Sequence, residues 1–344
     1  MYGKILIIQT AFLGDVILTL PLVQVLNQKF PKSKIDFLCI PQTSGLLKNN
    51  PFINETIVYD KRNSGNRSLD ELIKTLKSNE YDVIISPHRS FRSSMISYFS
   101  KARNTISFNT SSFSFLYRHR VSYFGSSHEI QRNLKLLEPL GIIEDSIIQP
   151  ELFPGTEEET KVNEFFLENK IDQKEKIIAV APGSVWFTKR FPEEKFVKLC
   201  DLLSENEFRI ILIGGKDDEK YCSFIKKKSI NRNIINAAGN FSILESAEII
   251  KRSALLVSND SAPLHIADAL GTPVIAVFGA TIPQFGFYPY GKKDVIIETN
   301  GLKCRPCSIH GGNKCPIGTF VCMKNIEEER IAVSIKKILS EKIV

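Results

Sequence analysis

Apolar positions along the chain fall into two alternating kinds of run. Lys4–Gln9 (KILIIQ) is short and almost continuously apolar, the pattern of a strand buried on both faces of a parallel sheet. Past the turn Thr10–Gly14, apolar residues at Val16, Leu20, Val23 and Leu26 recur at helical spacing until Phe30-Pro31 stops them, and Ile35–Ile40 is again strand-like. This strand, helix, strand succession is a βαβ unit, and Val83–Ser86 with the helical stretch Leu134–Leu140 continues it. From Gly155 to Lys176 the chain is mostly charged, as in an exposed helix and connector between domains. A more regular array follows: strands at Ile177–Ala181, Arg209–Ile213, Ile234–Ala237, Ala254–Ser258 and Pro273–Phe278, separated by helices at Glu193–Ser204, Asp218–Lys228, Ile243–Arg252 and His265–Leu270.

At 344 residues and 43% hydrophobic content, the chain is long enough for two domains that each bury a core. The pattern places two α/β, Rossmann-like domains at residues 1–160 and 176–325, with a closing helix at 326–344 that packs back on the N-terminal domain. The N-terminal segment lacks the regions of a signal peptide, because Gly14-Asp15 interrupts its apolar run. No stretch approaches the roughly 20 apolar residues of a membrane span, so a cytoplasmic protein with at most peripheral bilayer contact is expected. Seven cysteines, an odd number, fit a reducing compartment.

The net charge of +7 suits a polyanionic partner: nucleic acid, an anionic membrane surface or a phosphorylated substrate. Its distribution is uneven. Between Val83 and His128 there is no Asp or Glu, while Arg89, Arg92, Lys101, Arg103, Arg118 and Arg120 lie among Phe and Tyr residues. Arg89 and Arg92 could hold a phosphorylated or carboxylated acceptor, with the rings turned toward lipid headgroups. A solvated basic loop and stacking on single-stranded nucleic acid are the alternatives.

Three turns that follow strands carry candidate chemistry. Ser258-Asn-Asp-Ser-Ala-Pro-Leu-His265 opens a helix whose free N–H groups and positive dipole end suit an anion, although a plain N-cap would look the same. Ala181-Pro-Gly-Ser-Val-Trp-Phe-Thr-Lys-Arg190 combines Gly183 for close approach, the hydroxyls of Ser184 and Thr188 and the cations Lys189 and Arg190, a mixture that phosphate oxygens favour. Ile213-Gly-Gly-Lys-Asp-Asp-Glu219 carries acidic groups, Asp217 foremost, for ribose or sugar hydroxyls. None has the G-x-G-x-x-G spacing of a hydride-transfer domain, so a nucleotide-diphosphate site is the economical reading. In the N-terminal half, Phe12-Leu-Gly14-Asp15 sets a carboxylate after a glycine at the first strand-to-helix turn, either as a helix cap or as a general base. Finally, Cys304, Cys307, Cys315 and Cys322 give four soft ligands in a short segment, a structural zinc site or else free or disulfide-bonded thiols.

Taken together, KILIIQTAFLGDVILTLPLVQVL, APGSVWFTKRFPEEKF, SNDSAPLHIADALGTPVIAVFGAT and the late Cys pattern resemble the ADP-heptose:lipopolysaccharide heptosyltransferases of glycosyltransferase family 9, and most of all the second of these enzymes. The resemblance implies a GT-B architecture, two Rossmann-like domains facing across a cleft, and inverting transfer of heptose from ADP-heptose to a lipid A–Kdo type precursor at the cytoplasmic face of the inner membrane. No cofactor is implied for the chemistry and no nucleic-acid partner. Asp15 matches the family's catalytic base, and Lys189 with Thr188 its donor-diphosphate clamp. Asp260, Ser261 and His265 match its D-[ST]-G-x-x-H segment, where Ala262 stands in place of the usual glycine. The rival readings are a transferase of the same fold using another nucleotide sugar for a surface glycan, and a zinc-tailed nucleic-acid-binding protein.

Overall fold

The computed structural model describes residues 2–60, 66–172, 174–204 and 208–340. The N-terminal unit, Met1–Phe153, is built on β1 (Lys4–Ile8), β2 (Lys34–Cys39), β3 (Glu55–Val58), β4 (Val83–Ser86), β5 (Asn104–Phe108) and β6 (His119–Val121). The second, Pro154–Val344, is built on β7 (Lys176–Ala181), β8 (Phe208–Leu212), β9 (Ile234–Asn236), β10 (Leu255–Asn259), β11 (Val274–Phe278) and β12 (Val295–Glu298). Each set forms one all-parallel sheet, in the orders β3-β2-β1-β4-β5-β6 and β12-β11-β10-β7-β8-β9. Helices bury both faces, and for that reason the central strands Ile5–Ile8, Ile178–Val180 and Leu255–Val257 are apolar without alternation.

The two orders have the same consequence. In each unit the chain winds outward from a central strand, returns to that strand's other side and winds the opposite way, which leaves a crevice at the carboxyl ends of the two innermost strands. These are β1 and β4 in the first unit, and β7 and β10 in the second. The turns 9–15 and 87–90, and the turns 182–192 and 260–262, therefore sit at the two switch points.

The expected strands are all present within a residue or two of their ends. The boundary between the two units shifts. The charged helix Thr156–Glu168 belongs to the second unit, not to a domain ending at residue 160: it packs on helix Ile243–Arg252, with Val162 buried, Phe165 edge-on to Phe241 at 4.9 Å and Arg252 donating to Asn163 Oδ1 at 2.6 Å. The closing helix Glu328–Ser340 lays Ile331, Ile335 and Ile338 into the second unit's own core beside Phe196 and Leu199. Each such buried isoleucine contributes about 1.5–3 kcal/mol. Lys195 secures the helix start, donating to Ile326 O at 2.7 Å and pairing with the buried Glu328 at 3.0 Å. Residues 341–344 lie outside the described residues. No helix among the described residues is long and apolar enough to cross a membrane.

Candidate active site

The second unit's switch point is assembled around two buried side chains that the strand pattern delivers. Asn259, the last residue of β10, accepts from Phe191 N at 3.0 Å and donates to Pro182 O at 2.8 Å, so it ties both ends of the 182–191 loop to the sheet. Asp260 follows. Its carboxylate takes the Lys189 ammonium at 2.7 Å and the Thr281 hydroxyl at 2.6 Å, with the pair largely withdrawn from solvent (15% and 6% exposed). Helix Ala262–Leu270 starts immediately after, with Ser261 in the N-cap position making no side-chain cap, so its hydroxyl is spent instead on Ser258 Oγ at 3.3 Å and on the Gly183 and Asn259 carbonyls at 3.4 Å. At this helix start Pro263 has no N–H and Leu264 N donates to Ser261 O at 3.1 Å, which leaves the Ser261 and Ala262 N–H groups outside the helix's own ladder beside a fixed cation. His265, one turn in, is buried.

The 182–192 loop shows why Gly183 is needed. A Cβ there would lie 2.2 Å from Asp218 Oδ1, so only glycine lets the loop and the turn after β8 meet. Arg190 donates to Ser184 O at 2.6 Å and lies close enough to Asp218 to favour its charged form. Burial nevertheless wins and pushes the Asp218 carboxyl up. Asp217, the acid expected from the sequence, is exposed; Asp218 is the one turned inward, capping Gly215 N at 3.1 Å. Thr188 is buried, and its hydroxyl accepts from Gly312 N at 2.8 Å.

In the first unit, Asp15 lies in the short helix Leu13–Ile17, directly after Gly14, and accepts from Phe12 N at 3.2 Å. It is therefore a cap in fact, and it stays partly exposed at the carboxyl edge of β1. Across the β1–β4 switch point, Thr10 Oγ1 meets His88 Nδ1 at 2.8 Å. Arg89 stacks on the Tyr123 ring at 4.0 Å, and Arg132 on the same ring at 4.8 Å. Arg132 is almost fully buried and pairs with Glu129 at 2.6 Å. Burial raises the Glu129 carboxyl, which Arg132 opposes, while the Asp15 charge raises it further. Asp15, Arg89, Tyr123, Glu129 and Arg132 thus form one charged cluster. Arg92 is not shown in it: it is exposed on helix Phe91–Phe99.

The model of glycosyltransferase family 9 (heptosyltransferase) matches residues 69–313, more than half the chain. The chain belongs to that family. Lipopolysaccharide heptosyltransferase 3 of Escherichia coli K12 is 30% identical over 287 residues, covering 78% of this chain and 80% of its own. Lipooligosaccharide heptosyltransferase 2 of Haemophilus ducreyi is 28% identical, covering 86% and 88%. The crystal structure of the family 9 glycosyl transferase from Veillonella parvula superimposes with a TM-score of 0.88 over 99% of this chain and 98% of its own at 23% identity, which establishes the GT-B fold. Relatives numbered 1, 2 and 3 all occur, so the likeness is to the family and not specifically to the second enzyme.

Within this heptosyltransferase the cysteine-rich segment has an unexpected place. Cys304, Cys307, Cys315 and Cys322 line one small pocket with Arg305, and among the described residues no three Cys, His, Asp or Glu side chains are placed to hold one ion. The segment walls the grip. Arg305 donates to Gly279 O and Thr281 O at 2.6 Å and pairs with Glu298 at 2.5 Å. Gly311, at φ +87°, lies where a Cβ would be 2.9 Å from Lys189 Cγ. The sequence singles out Asn259 within its turn and Asp218 beside Asp217, but not Thr281 and Gly311 as parts of the grip, nor His88, Tyr123, Glu129 and Arg132 in the first unit.

Proposed function

We propose that this heptosyltransferase moves a heptose from ADP-heptose onto the inner core of a lipid A–Kdo type lipopolysaccharide precursor, in the cytoplasm at the inner membrane surface, with inversion at the anomeric carbon. The observation that carries the reading is the Lys189–Asp260 pair at the head of helix Ala262–Leu270. A fixed ammonium at the positive end of a helix is what a leaving diphosphate needs, since charge develops on it as the glycosidic bond breaks. Gly183, Ser184, Thr188 and Arg190 surround the diphosphate in this reading, Asp260, Ser261, Ala262 and His265 hold it and the heptose, and Asp217 or its inward neighbour Asp218 takes sugar hydroxyls.

Asp15 is the general base. It takes the proton of the acceptor hydroxyl, whose oxygen forms the new bond to the anomeric carbon while the bond to the β-phosphate oxygen breaks and ADP departs with that electron pair. Arg89 and Arg92 hold the acceptor's anionic groups. No cofactor is needed for these steps. The Cys-rich tail and the Asn-Asp-Ser form of the grip support an enzyme that extends the core rather than one that starts it.

Calorimetric titration with ADP-heptose, UDP-sugars and GDP-sugars, alongside transfer assays of Asp15→Ala, tests the reading. Tight binding of ADP-heptose alone, and an Asp15→Ala enzyme that binds donor but does not turn over, are expected. Binding of another nucleotide sugar in place of ADP-heptose would overturn the donor, and turnover by Asp15→Ala would overturn the base.

A further inference from the structure

Helix Phe91–Phe99 is built inside out. Its buried side is Ser93, Ser94, Ser97 and Ile96, followed by the buried Ser100, while Phe91, Tyr98 and Phe99 stand outward at 49, 43 and 41% exposure. A water-facing helix normally shows the opposite distribution. The hydroxyls are provided for: Ser97 donates to Ser93 O at 2.8 Å, Ser100 to Ile96 O at 2.6 Å, Ser94 to the Ser112 carbonyl, and Ser93 meets His88 Nδ1 at 3.2 Å. Burying serines therefore costs little, and the rings remain outside because nothing in the core requires them.

Phe91 and Tyr98 are seven residues apart and share one stripe. The loop after β5 extends it. Phe113 (49% exposed) and Phe115 (69%) join Phe91 in a chain of ring contacts at 4.9 and 5.6 Å. Phe113 does so from a left-handed backbone, φ 55°, a conformation that bulky residues rarely adopt and that is held here with its ring toward solvent. Along this stretch of chain the charge has one sign: Arg92, Lys101, Arg103, Arg118 and Arg120 are exposed, Lys101 lies over the Tyr98 ring at 5.1 Å, and Val83–His128 contains no carboxylate side chain, although Arg103 pairs with Asp82 at 3.7 Å and the neighbouring helix Asn66–Ser78 exposes Asp70 and Glu71. Contiguous exposed rings rimmed by cations mark an interaction surface.

We propose that this face docks on an anionic lipid bilayer, with Phe91, Tyr98, Phe99, Phe113 and Phe115 at the boundary of headgroups and acyl chains and the surrounding Lys and Arg side chains on lipid phosphates. The proposal deepens the reading of a membrane-held acceptor and rests on it for its biological sense, but the surface needs no saccharide to bind. Apolar insertion and charge together are the two signals that reversible membrane attachment requires.

The full chain is sedimented with vesicles of phosphatidylcholine alone and of phosphatidylcholine mixed with phosphatidylglycerol, neither containing any glycan. Binding to the mixed vesicles, weakened by salt and absent from the neutral ones, is expected. Phe113→Ser with Phe115→Ser, and separately Lys101→Glu with Arg120→Glu, should each lower the partition coefficient by roughly tenfold or more. Both pairs should keep the wild-type melting temperature and ADP affinity, and Val333→Ser, which removes an exposed apolar residue of the second unit, should change nothing. Absence of vesicle binding, equal binding to both lipid mixtures, or indifference of both paired variants would overturn the proposal. So would a single-stranded oligonucleotide that binds and displaces the vesicles, or a dimer that the Phe113/Phe115 variant dissociates. Transfer to a soluble deacylated acceptor tests the reaction apart from the surface: loss there with vesicle binding intact would refute the proposed function and leave the docking face standing.

Discussion

Replacing Lys189 by Met separates the two tasks that the structure assigns to one ammonium group. In the free protein Lys189 neutralises Asp260, which is only 6% exposed and has the Thr281 hydroxyl as its other close partner. Removing the cation strands that carboxylate, and breaking one side of a buried pair costs about 3–5 kcal/mol. Converting Asp260 to Asn as well removes the stranded charge while an amide oxygen still accepts from Thr281, so the double variant Lys189→Met with Asp260→Asn should recover to within about 1 kcal/mol of the parent. Donor affinity should behave differently. A charge-assisted hydrogen bond to phosphate contributes about 1.5–3 kcal/mol, so both variants should bind ADP roughly 10- to 150-fold more weakly, and the second substitution should not restore it. Urea unfolding followed at Trp186, the sole tryptophan, three residues from Lys189, gives the stability series, and calorimetric titration with ADP gives the affinity series. If the single and double variants unfold at the same urea concentration, the pair is not electrostatically buried as described. Should the double variant regain ADP affinity, Lys189 does not bind the diphosphate.

Three further outcomes are expected. Gly311→Ala puts a methyl group against Lys189 in a left-handed backbone position, so it should raise the KM for donor severalfold at nearly unchanged global stability; an unchanged KM would remove the Cys-rich segment from the grip. Asp268 is buried on helix Ala262–Leu270, and burial, reinforced by the charge and hydrogen bond of Asp294, pushes its carboxyl up to about 9. An acid whose folded value lies above its unfolded one stabilises fully only below the unfolded value of about 4, so melting temperature should decline as pH rises from there toward 9, and Asp268→Asn should flatten that decline; a parallel pH profile in the variant would refute the assignment. Burial raises the Cys315 thiol, but the backbone N–H groups of Phe320, Ile317, Gly318 and Thr319 outweigh it and lower the group overall, whereas burial raises Cys307 and Cys322. At neutral pH iodoacetamide should therefore label Cys315 before the more exposed Cys307, as read by mass spectrometry of partly modified protein, and the reverse order would contradict the N–H arrangement.

The element pattern was legible wherever burial is two-sided. β1, β4, β7, β10 and β11 announce themselves as unbroken apolar runs because both faces of a doubly wound sheet are covered. The edge strands β3 and β6, covered less completely, carry no such run, whereas β12 carries Val295–Ile297, as long a run as that of β4, yet is not among the expected strands. The region 88–124 hid helix Phe91–Phe99 and β5, since an inside-out helix has serines where the pattern rule looks for apolar residues. The closing helix was legible as a helix, but its partner was not: an amphipathic stripe states that a surface exists without stating which core receives it.

Short-range chemistry survives in sequence because it depends on neighbours along the chain. Asp260, Ser261 and the helix after them, Gly183 with Lys189, and Asp15 after Gly14 are each set by one strand-to-helix turn. Tertiary structure alone decided which of two adjacent acids, Asp217 or Asp218, faces Gly183, since about a third of a helical turn separates them and only the packing of one loop against another selects between them. It also decided that Lys189 is held by Asp260, 71 positions away, and that Gly311 covers it, because parallel strands bring their carboxyl ends together only after long crossovers have closed.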